Sequence, residues 1–418
     1  MKVLILGSGA KDHALAWAIS KSHIINGLYV APGNSGTGEI AENITDTDIT
    51  DPEQVAALCR RLEVDYCFVG DSQSISNGVV DFLNAEGISV FGAPKAAGRL
   101  ETERLFAREF IKKYSIPSTR AEIFHDFDAF AEYVESHPGR LVLKRNKATN
   151  GKNVFDSRNK ERLLQLGREI LQQDTLLVER FEEGINLSVF ALLDEKNHLI
   201  LPPVSDYHKA QDNDTGMGTS GMGAICPVPI LSDKIHAHIL TDIIEPTIEG
   251  LRAEGLCYKG VFFFSLLIQE RTAKVTSFHL RFGDPEAQVL IPLIESDLGE
   301  LAKAIDRQQL DKFNLKLSHH SAVGVVVAAD GYPQQTPKKQ VVSIDPFFPN
   351  KESILFHGAT QKNGDGKIYT TGGRCFTVVG LGENILKANS KAYQHIGAVR
   401  FPGAWNRNDI GNRFFEDI

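Results

Sequence analysis

Positive charge is in short supply in this chain. Lysine and arginine number 45 against 53 aspartates and glutamates, and the formal net charge of -8 counts against a general nucleic-acid or anionic-membrane surface. Neither nucleic acid nor membrane is therefore expected as a partner. Cysteine is scarce as well: Cys59, Cys67, Cys226, Cys257 and Cys375 form no CxxC pair and read as buried thiols of a reducing compartment. Long apolar runs are missing. The opening MKVLILG is soon followed by glycine, lysine and aspartate, too short for a signal peptide or a membrane span, so a cytoplasmic location is expected. No long low-complexity linker and no internal repeat interrupts the chain, which makes closely packed neighbouring domains the expectation. A third glycine is also lacking after Gly7 and Gly9: Asp12 stands where a dinucleotide fingerprint would place it, which speaks against a nicotinamide dehydrogenase.

What is present fits small-molecule chemistry in a folded, multidomain protein. With 418 residues and 42% hydrophobic content, the chain is long enough for two to four domains. Residues 2–6 read as a buried parallel strand, 7–9 as its turn and 13–20 as the following helix. Further strands at 28–30, 66–69 and 90–91, with helices at 52–63 and 78–86, predict an open α/β domain over 1–100. The apolar stripe of 100–114 predicts one helix ending before Ile116-Pro117. Strand-like 140–144 and 176–179, a Gly-Lys turn at 151–152 and a helix at 160–171 suit a small α+β lid over 121–190, the most mobile unit, within a core of 101–320. A β-rich domain over 321–418, with turns at 330–333 and 363–366 and a helix at 384–396, completes the expected α/β and α+β architecture.

Several stretches carry chemistry. Gly7 and Gly9 can expose backbone N–H groups near a helix start, either to hold a phosphate or simply to turn the chain. Lys144 ends an apolar strand and Lys152 follows Gly151; two such lysines can converge on a triphosphate, or remain ordinary surface charges. Glu179 ends another strand, where it could meet a nucleoside or stay solvated. His208 and Lys209 precede a glycine-rich run from Asp212 to Gly223, in which Asp214 could receive an ammonium group and backbone N–H groups could stabilise anionic oxygen. The motif RFGDPE offers Arg281, a rigid fork for carboxylate or phosphate, and Asp284, which can orient an amine or hydroxyl; a salt-bridged turn is the plain alternative.

Taken in order, MKVLILGSGAKDHALAW, VAPGNSGTG, VFGAPKAAGRLE, LVLKRNKATNGKNV, LVERFEEG, HKAQDNDTGMGTSGMGA, RFGDPEAQ, TGGRCFTVVGLGE and RNDIGNR resemble the phosphoribosylamine–glycine ligase family of the ATP-grasp superfamily. The resemblance covers nearly the whole chain. It implies an ATP-grasp core and an ATP- and divalent-metal-dependent ligation, with Mg or Mn as the ion. In that reaction a glycine carboxylate is activated as an acyl phosphate and attacked by phosphoribosylamine. By the same resemblance Lys144, Lys152 and Glu179 hold the nucleotide, while Gly9, His13, His208, Lys209, Gly221, Gly223, Arg281 and Asp284 contact substrate. Catalysis would rest on Asp214, Arg281 and Asp284.

The departures cluster at the chemistry. The family's Glu-Phe-Asn metal segment stands here as Ser277-Phe278-His279, removing a hard carboxylate and replacing an amide oxygen by imidazole; His279 could favour a softer divalent ion or simply pack as a neutral histidine, and any further metal ligand is left open. Gly-Gly-Arg-Glu-His appears as Gly9-Ala10-Lys11-Asp12-His13, and Gly-Pro-Glu as Gly70-Asp71-Ser72. The leading expectation is a diverged ATP-dependent carboxylate–amine ligase. Two alternatives stand beside it: a paralogue without turnover serving as a ligand sensor or protein partner, and a ligase with a different amine acceptor.

Overall fold

The computed structural model describes residues 1–147, 154–229, 232–269, 272–336, 339–346 and 348–415. Its amino-terminal part is a parallel sheet in the spatial order Glu42–Asn43, Gly27–Pro32, Lys2–Gly7, Tyr66–Val69, Ser89–Phe91. The central strand Lys2–Gly7 is apolar throughout because both of its faces are covered: Leu4 and Leu6 enter one core, Val3 and Ile5 the other. Strand order reverses between its two neighbours, and the carboxyl ends there open the crevice in which such sheets take ligands. Lys11 marks that crevice, its Nζ donating to the Gly70 carbonyl at 2.9 Å.

The predicted helix over 100–114 is two helices, Lys95–Thr102 and Arg104–Lys113. Glu103 breaks the run in an extended conformation (φ -124°, ψ 98°). Asn146 supplies the reason. Its carbonyl accepts from Arg104 N–H at 3.0 Å and its side-chain oxygen from Leu105 N–H at 3.0 Å, so donors that a continuous helix would satisfy internally are met from another part of the fold.

Two antiparallel sheets form the middle of the chain. One has the order Ala121–Phe124, Leu176–Arg180, Leu141–Arg145, Val154–Ser157, and the helices Phe127–Ser136 and Lys160–Leu171 pack with it around Phe130, Val134, Leu143, Leu163, Ile170 and Val178. This is the α+β unit expected from the sequence, with one correction. The lid expected over 121–190 ends earlier, because the strand Ile185–Asp194 belongs to the second sheet, pairing from Ile185 opposite Ile268 to Asp194 opposite Lys259. Its alternating residues, buried on both faces, could only be satisfied there. The Gly-Lys turn at 151–152 lies outside the described residues.

The carboxyl-terminal sheet reaches back across the expected domain border at 320. Strands Ser205–Asp206 and Gly223–Cys226 join Ser321–Ala328, Arg374–Gly382 and Ser353–His357 in one antiparallel sheet. The helix Ile385–Ile396 lies against Arg374–Gly382 so closely that a Cβ at Gly380 would stand 2.1 Å from the Ala388 carbonyl oxygen; only glycine permits that approach. The observed architecture follows the expected layout: an open α/β domain, a central core of two antiparallel sheets and a β-rich carboxyl-terminal domain. Among the described residues, no helix is long and apolar enough to cross a membrane.

Candidate functional site

A cavity of about 610 Å³ opens where these parts meet. Ser72 and Glu101 reach it from the amino-terminal side, Arg104 and Arg108 from the junction helix, Lys144 and Glu179 from the α+β unit, and Ser277, His279 and Arg281 from the central sheet. The glycine-rich run touches it through Ser220.

Local structure explains the first cluster. Val142 pairs with Glu179 across adjacent strands, so Lys144 lies diagonally opposite Glu179 on the same face. The Lys144 ammonium is 8% exposed as a residue and donates to Glu179 Oε1 at 2.8 Å and to the Thr276 carbonyl at 3.4 Å. Burial pulls its pKa down to about 8, with Glu179 opposing the fall. Burial pushes the Glu179 carboxyl up, but Lys144 and Arg108, with a hydrogen bond from Thr119 Oγ1 at 3.1 Å, outweigh it and hold the group ionised.

Facing this is a second cluster around Glu101. Its carboxylate accepts from Ser72 Oγ at 2.8 Å, from Leu280 N–H at 2.9 Å and from Arg281 Nε at 3.2 Å. His279 Nδ1 stands 3.4 Å from the same carboxylate, while its Nε2 shares a 3.1 Å hydrogen bond with Ser277 Oγ. That Nδ1 contact is too long for a good hydrogen bond, which leaves the atom buried and poorly satisfied. Burial lowers the His279 pKa, so the ring is neutral at neutral pH. Burial also works against the Glu101 charge, yet Arg281, helped by the Leu280 N–H, more than compensates and keeps it ionised well below the usual carboxylate range.

These residues do not fit a hard divalent cation. Among the described residues no group of three or more His, Cys, Asp or Glu is arranged to hold a metal ion. The segment 277–279 offers a hydroxyl and an imidazole bonded to each other, and both nearby carboxylates are already engaged by nitrogen donors. Magnesium requires near-octahedral oxygen donors, and the Arg281 guanidinium beside Glu101 adds repulsion. His279, the candidate ligand from the sequence, is thus a partner of Ser277 and Glu101.

Next to the cavity, RFGDPE meets both terminal domains. Asp284 accepts from Gln288 Nε2 at 2.8 Å and more weakly from Lys11 N–H at 3.4 Å, and Arg374 Nη1 lies 3.1 Å from its carboxylate. A Cβ at Gly9 would stand 3.2 Å from Asp284 Oδ2, and one at Gly221, where φ is +116°, would stand 2.4 Å from Pro285 Cδ. Gly9, Gly221, Arg281 and Asp284 are therefore brought together, as are Lys144, Glu179, Arg281 and His279.

The remaining candidates are placed elsewhere. His13 is buried against the carboxyl-terminal domain, its Nδ1 accepting from His357 N–H at 2.9 Å; burial holds its pKa down to about 3, so it packs as a neutral ring. Gly223 lies in a buried strand, where a Cβ would meet Ile410 at 2.7 Å. Lys209 binds Asp156 at 2.7 Å, tying the glycine-rich run to the α+β unit. Half-exposed His208 pairs with buried Asp206 at 2.7 Å, and that partner raises its pKa to about 9 despite desolvation. Asp214 faces Arg407 at 2.8 Å and Arg413 at 3.0 Å, which occupies the carboxylate with guanidinium groups in place of the expected ammonium. Lys152 lies outside the described residues. Sequence reasoning missed Glu101, Arg104 and Arg108; the arginines' four-residue spacing within the expected helix was a signal that both share one face.

Family comparison agrees with this layout. Models of phosphoribosylglycinamide synthetase match the N domain at residues 1–101, the ATP-grasp (A) domain at 102–287 and the C domain at 322–413. The chain belongs to the phosphoribosylglycinamide synthetase family. A phosphoribosylamine–glycine ligase of Chlorobaculum tepidum is 32% identical over 98% of this chain and 99% of its own, and one of Neisseria meningitidis serogroup A is 33% identical over 99% of each. The crystal structure of the Thermotoga maritima phosphoribosylamine–glycine ligase superposes with a TM-score of 0.83 at 28% identity, covering 98% of this chain and all of that one. A biotin carboxylase from Campylobacter jejuni, solved as a β-γ-ATP complex, shares the fold alone, with a TM-score of 0.72 at 14% identity over 97% of this chain and 93% of that one. Similarity to the synthetase family thus extends over nearly the whole chain.

Proposed function

We propose that the chain is an ATP-dependent carboxylate–amine ligase acting on phosphoribosylamine and glycine in the cytoplasm. The observation that carries this reading is the shared cavity, in which Lys144, Arg104 and Arg108 face the RFGDPE turn within a family fold matched over its full length. Glycine's carboxylate oxygen attacks the terminal phosphorus of ATP, and the bond from that phosphorus to the ADP oxygen breaks. The amine nitrogen then attacks the acyl carbon, the carbon–oxygen bond to phosphate breaks, and phosphate leaves as the amine loses its proton. No protein nucleophile takes part. The protein's contribution is to hold the reacting groups together and meet developing charge with fixed donors while limiting water.

In this reading Lys144, Arg104 and Arg108 face the phosphates, Glu179 keeps Lys144 in place, and Gly9, Arg281 and Asp284 line the substrate side. Asp214, clamped by Arg407 and Arg413, anchors the glycine-rich run. A second reading, a member that binds nucleotide without turnover, is favoured by the Ser277–His279–Glu101 arrangement at the metal position. Purified protein incubated with ATP, glycine and freshly generated phosphoribosylamine, with magnesium, manganese or neither, separates the two. Amide product by mass spectrometry with matching ADP supports the ligase. Nucleotide binding with neither product transfers the case to the second reading, and absence of both binding and products rejects both.

A further inference from the structure

We propose that the central cavity takes its nucleotide without a divalent cation, the phosphate charge being met by the protein's own guanidinium and ammonium groups. This rests on the reading that the cavity holds ATP. Two observations point the same way: the place for an ion is filled, and positive charge is supplied around it.

The place is filled by groups already bonded to one another, although His279 Nδ1 stays poorly satisfied beside Glu101. Ser277 Oγ and His279 Nε2 satisfy each other, and Glu101 already has Ser72, Leu280 and Arg281 as donors. Glu179 is saturated in the same way by Lys144, Arg108 and Thr119. An incoming ion would have to strip a carboxylate of a guanidinium partner before it could bind. Breaking such a buried pair is strongly unfavourable, because the abandoned guanidinium cannot shed its charge.

The positive charge comes from four side chains that line the cavity, Arg104, Arg108, Lys144 and Arg281, against two carboxylates, Glu101 and Glu179. Arg104 is the most available of them. Its Nε donates to the Arg145 carbonyl at 2.9 Å, and among the described residues its two terminal nitrogens make no hydrogen bond or close ion pair, Glu179 and Glu101 attracting it only at longer range. A guanidinium fork is suited to two phosphate oxygens at once. Fixed arginine and lysine clamps serve the same electrostatic purpose at a transferring phosphoryl group as a bound ion does. A free triphosphate is more negative than its magnesium complex by the charge of the ion, so a site with surplus positive charge attracts the free form more strongly. Magnesium should therefore bring no gain in affinity.

Calorimetric titration of the full chain with a nonhydrolysable ATP analogue, first in EDTA and then in saturating magnesium, tests this. The expected dissociation constants differ by no more than about threefold, or the magnesium value is the weaker. An affinity that rises about tenfold or more on adding magnesium overturns the proposal while leaving the nucleotide reading intact. No binding in either buffer rejects the nucleotide reading and the proposal with it. R104Q, in EDTA, is expected to weaken binding by about tenfold, and unchanged affinity in a folded R104Q protein would remove the compensating charge from the argument. S277E combined with H279N supplies the missing oxygen donors and should make binding rise with magnesium. If it does not, those two residues are not what keeps the ion out, and the proposal falls.

Discussion

Replacing Lys144 with methionine isolates what it means to bury an ammonium group in the cavity wall. Its folded pKa of about 8 lies below the ordinary 10.5, because burial outweighs the attraction of Glu179. Between those two values the unfolded chain holds the Lys144 proton and the folded chain has released it. Linkage then makes stability rise with pH across the window, the reverse of a lysine that gains a salt bridge. At 1.36 kcal/mol per pH unit, the wild type should gain about 3 kcal/mol relative to K144M on going from pH 8 to pH 10.5. Near pH 7 the two proteins should differ by only about 1 kcal/mol, since methionine loses the ion pair and the desolvation it requires together while Arg108 still compensates Glu179. Urea transitions of both proteins by circular dichroism at pH 7.5 and 10 provide the comparison. Titration of other groups, such as Lys21, whose pKa is also lowered to about 8, cancels between them. Parallel pH dependence of the two midpoints would show that Lys144 is not buried as a strained cation and would refute the reasoning.

Three further outcomes follow from the same contacts. E179Q leaves Arg108 and Lys144 without their carboxylate and should destabilise the strand Leu176–Arg180 by about 3 kcal/mol, seen as roughly 100-fold lower hydrogen-exchange protection there; a change below about threefold would contradict the pairing. G36A puts a methyl group 2.2 Å from the His13 ring and should lower stability by about 1–3 kcal/mol, with a neutral melting temperature as the contrary result. D214N weakens the hold of Arg407 and Arg413 on a carboxylate that is 47% exposed, so a loss of only about 1 kcal/mol is expected, together with faster proteolysis of the run 212–223; unchanged cleavage would count against the anchoring role.

The fold was legible because its signals are local. The both-faces-apolar strand Lys2–Gly7 reads as a buried parallel strand, and the helix expected at 52–63 forms with Asp51 as its cap, the side chain accepting from Glu53 and Gln54 N–H groups. Lys144, Glu179 and Arg281 stood out as charges at the ends of apolar strands, and the structure brings them to one cavity. Arg104 was hidden because the apolar stripe of 100–114 continues smoothly, and nothing local shows that Asn146, forty-two residues later, ends one helix and begins another.

By itself the sequence determined the family, the order of the domains and the presence of a hydroxyl and an imidazole at 277 and 279, since each of these is a matter of residue identity along the chain. Only the tertiary structure decided which charges answer one another. Asp214 found Arg407, which is 1% exposed, across a separation of 193 residues. Electrostatic partners are set by distance in space, and a side chain's charge is worth most where folding has removed the water around it, which no spacing along the chain records.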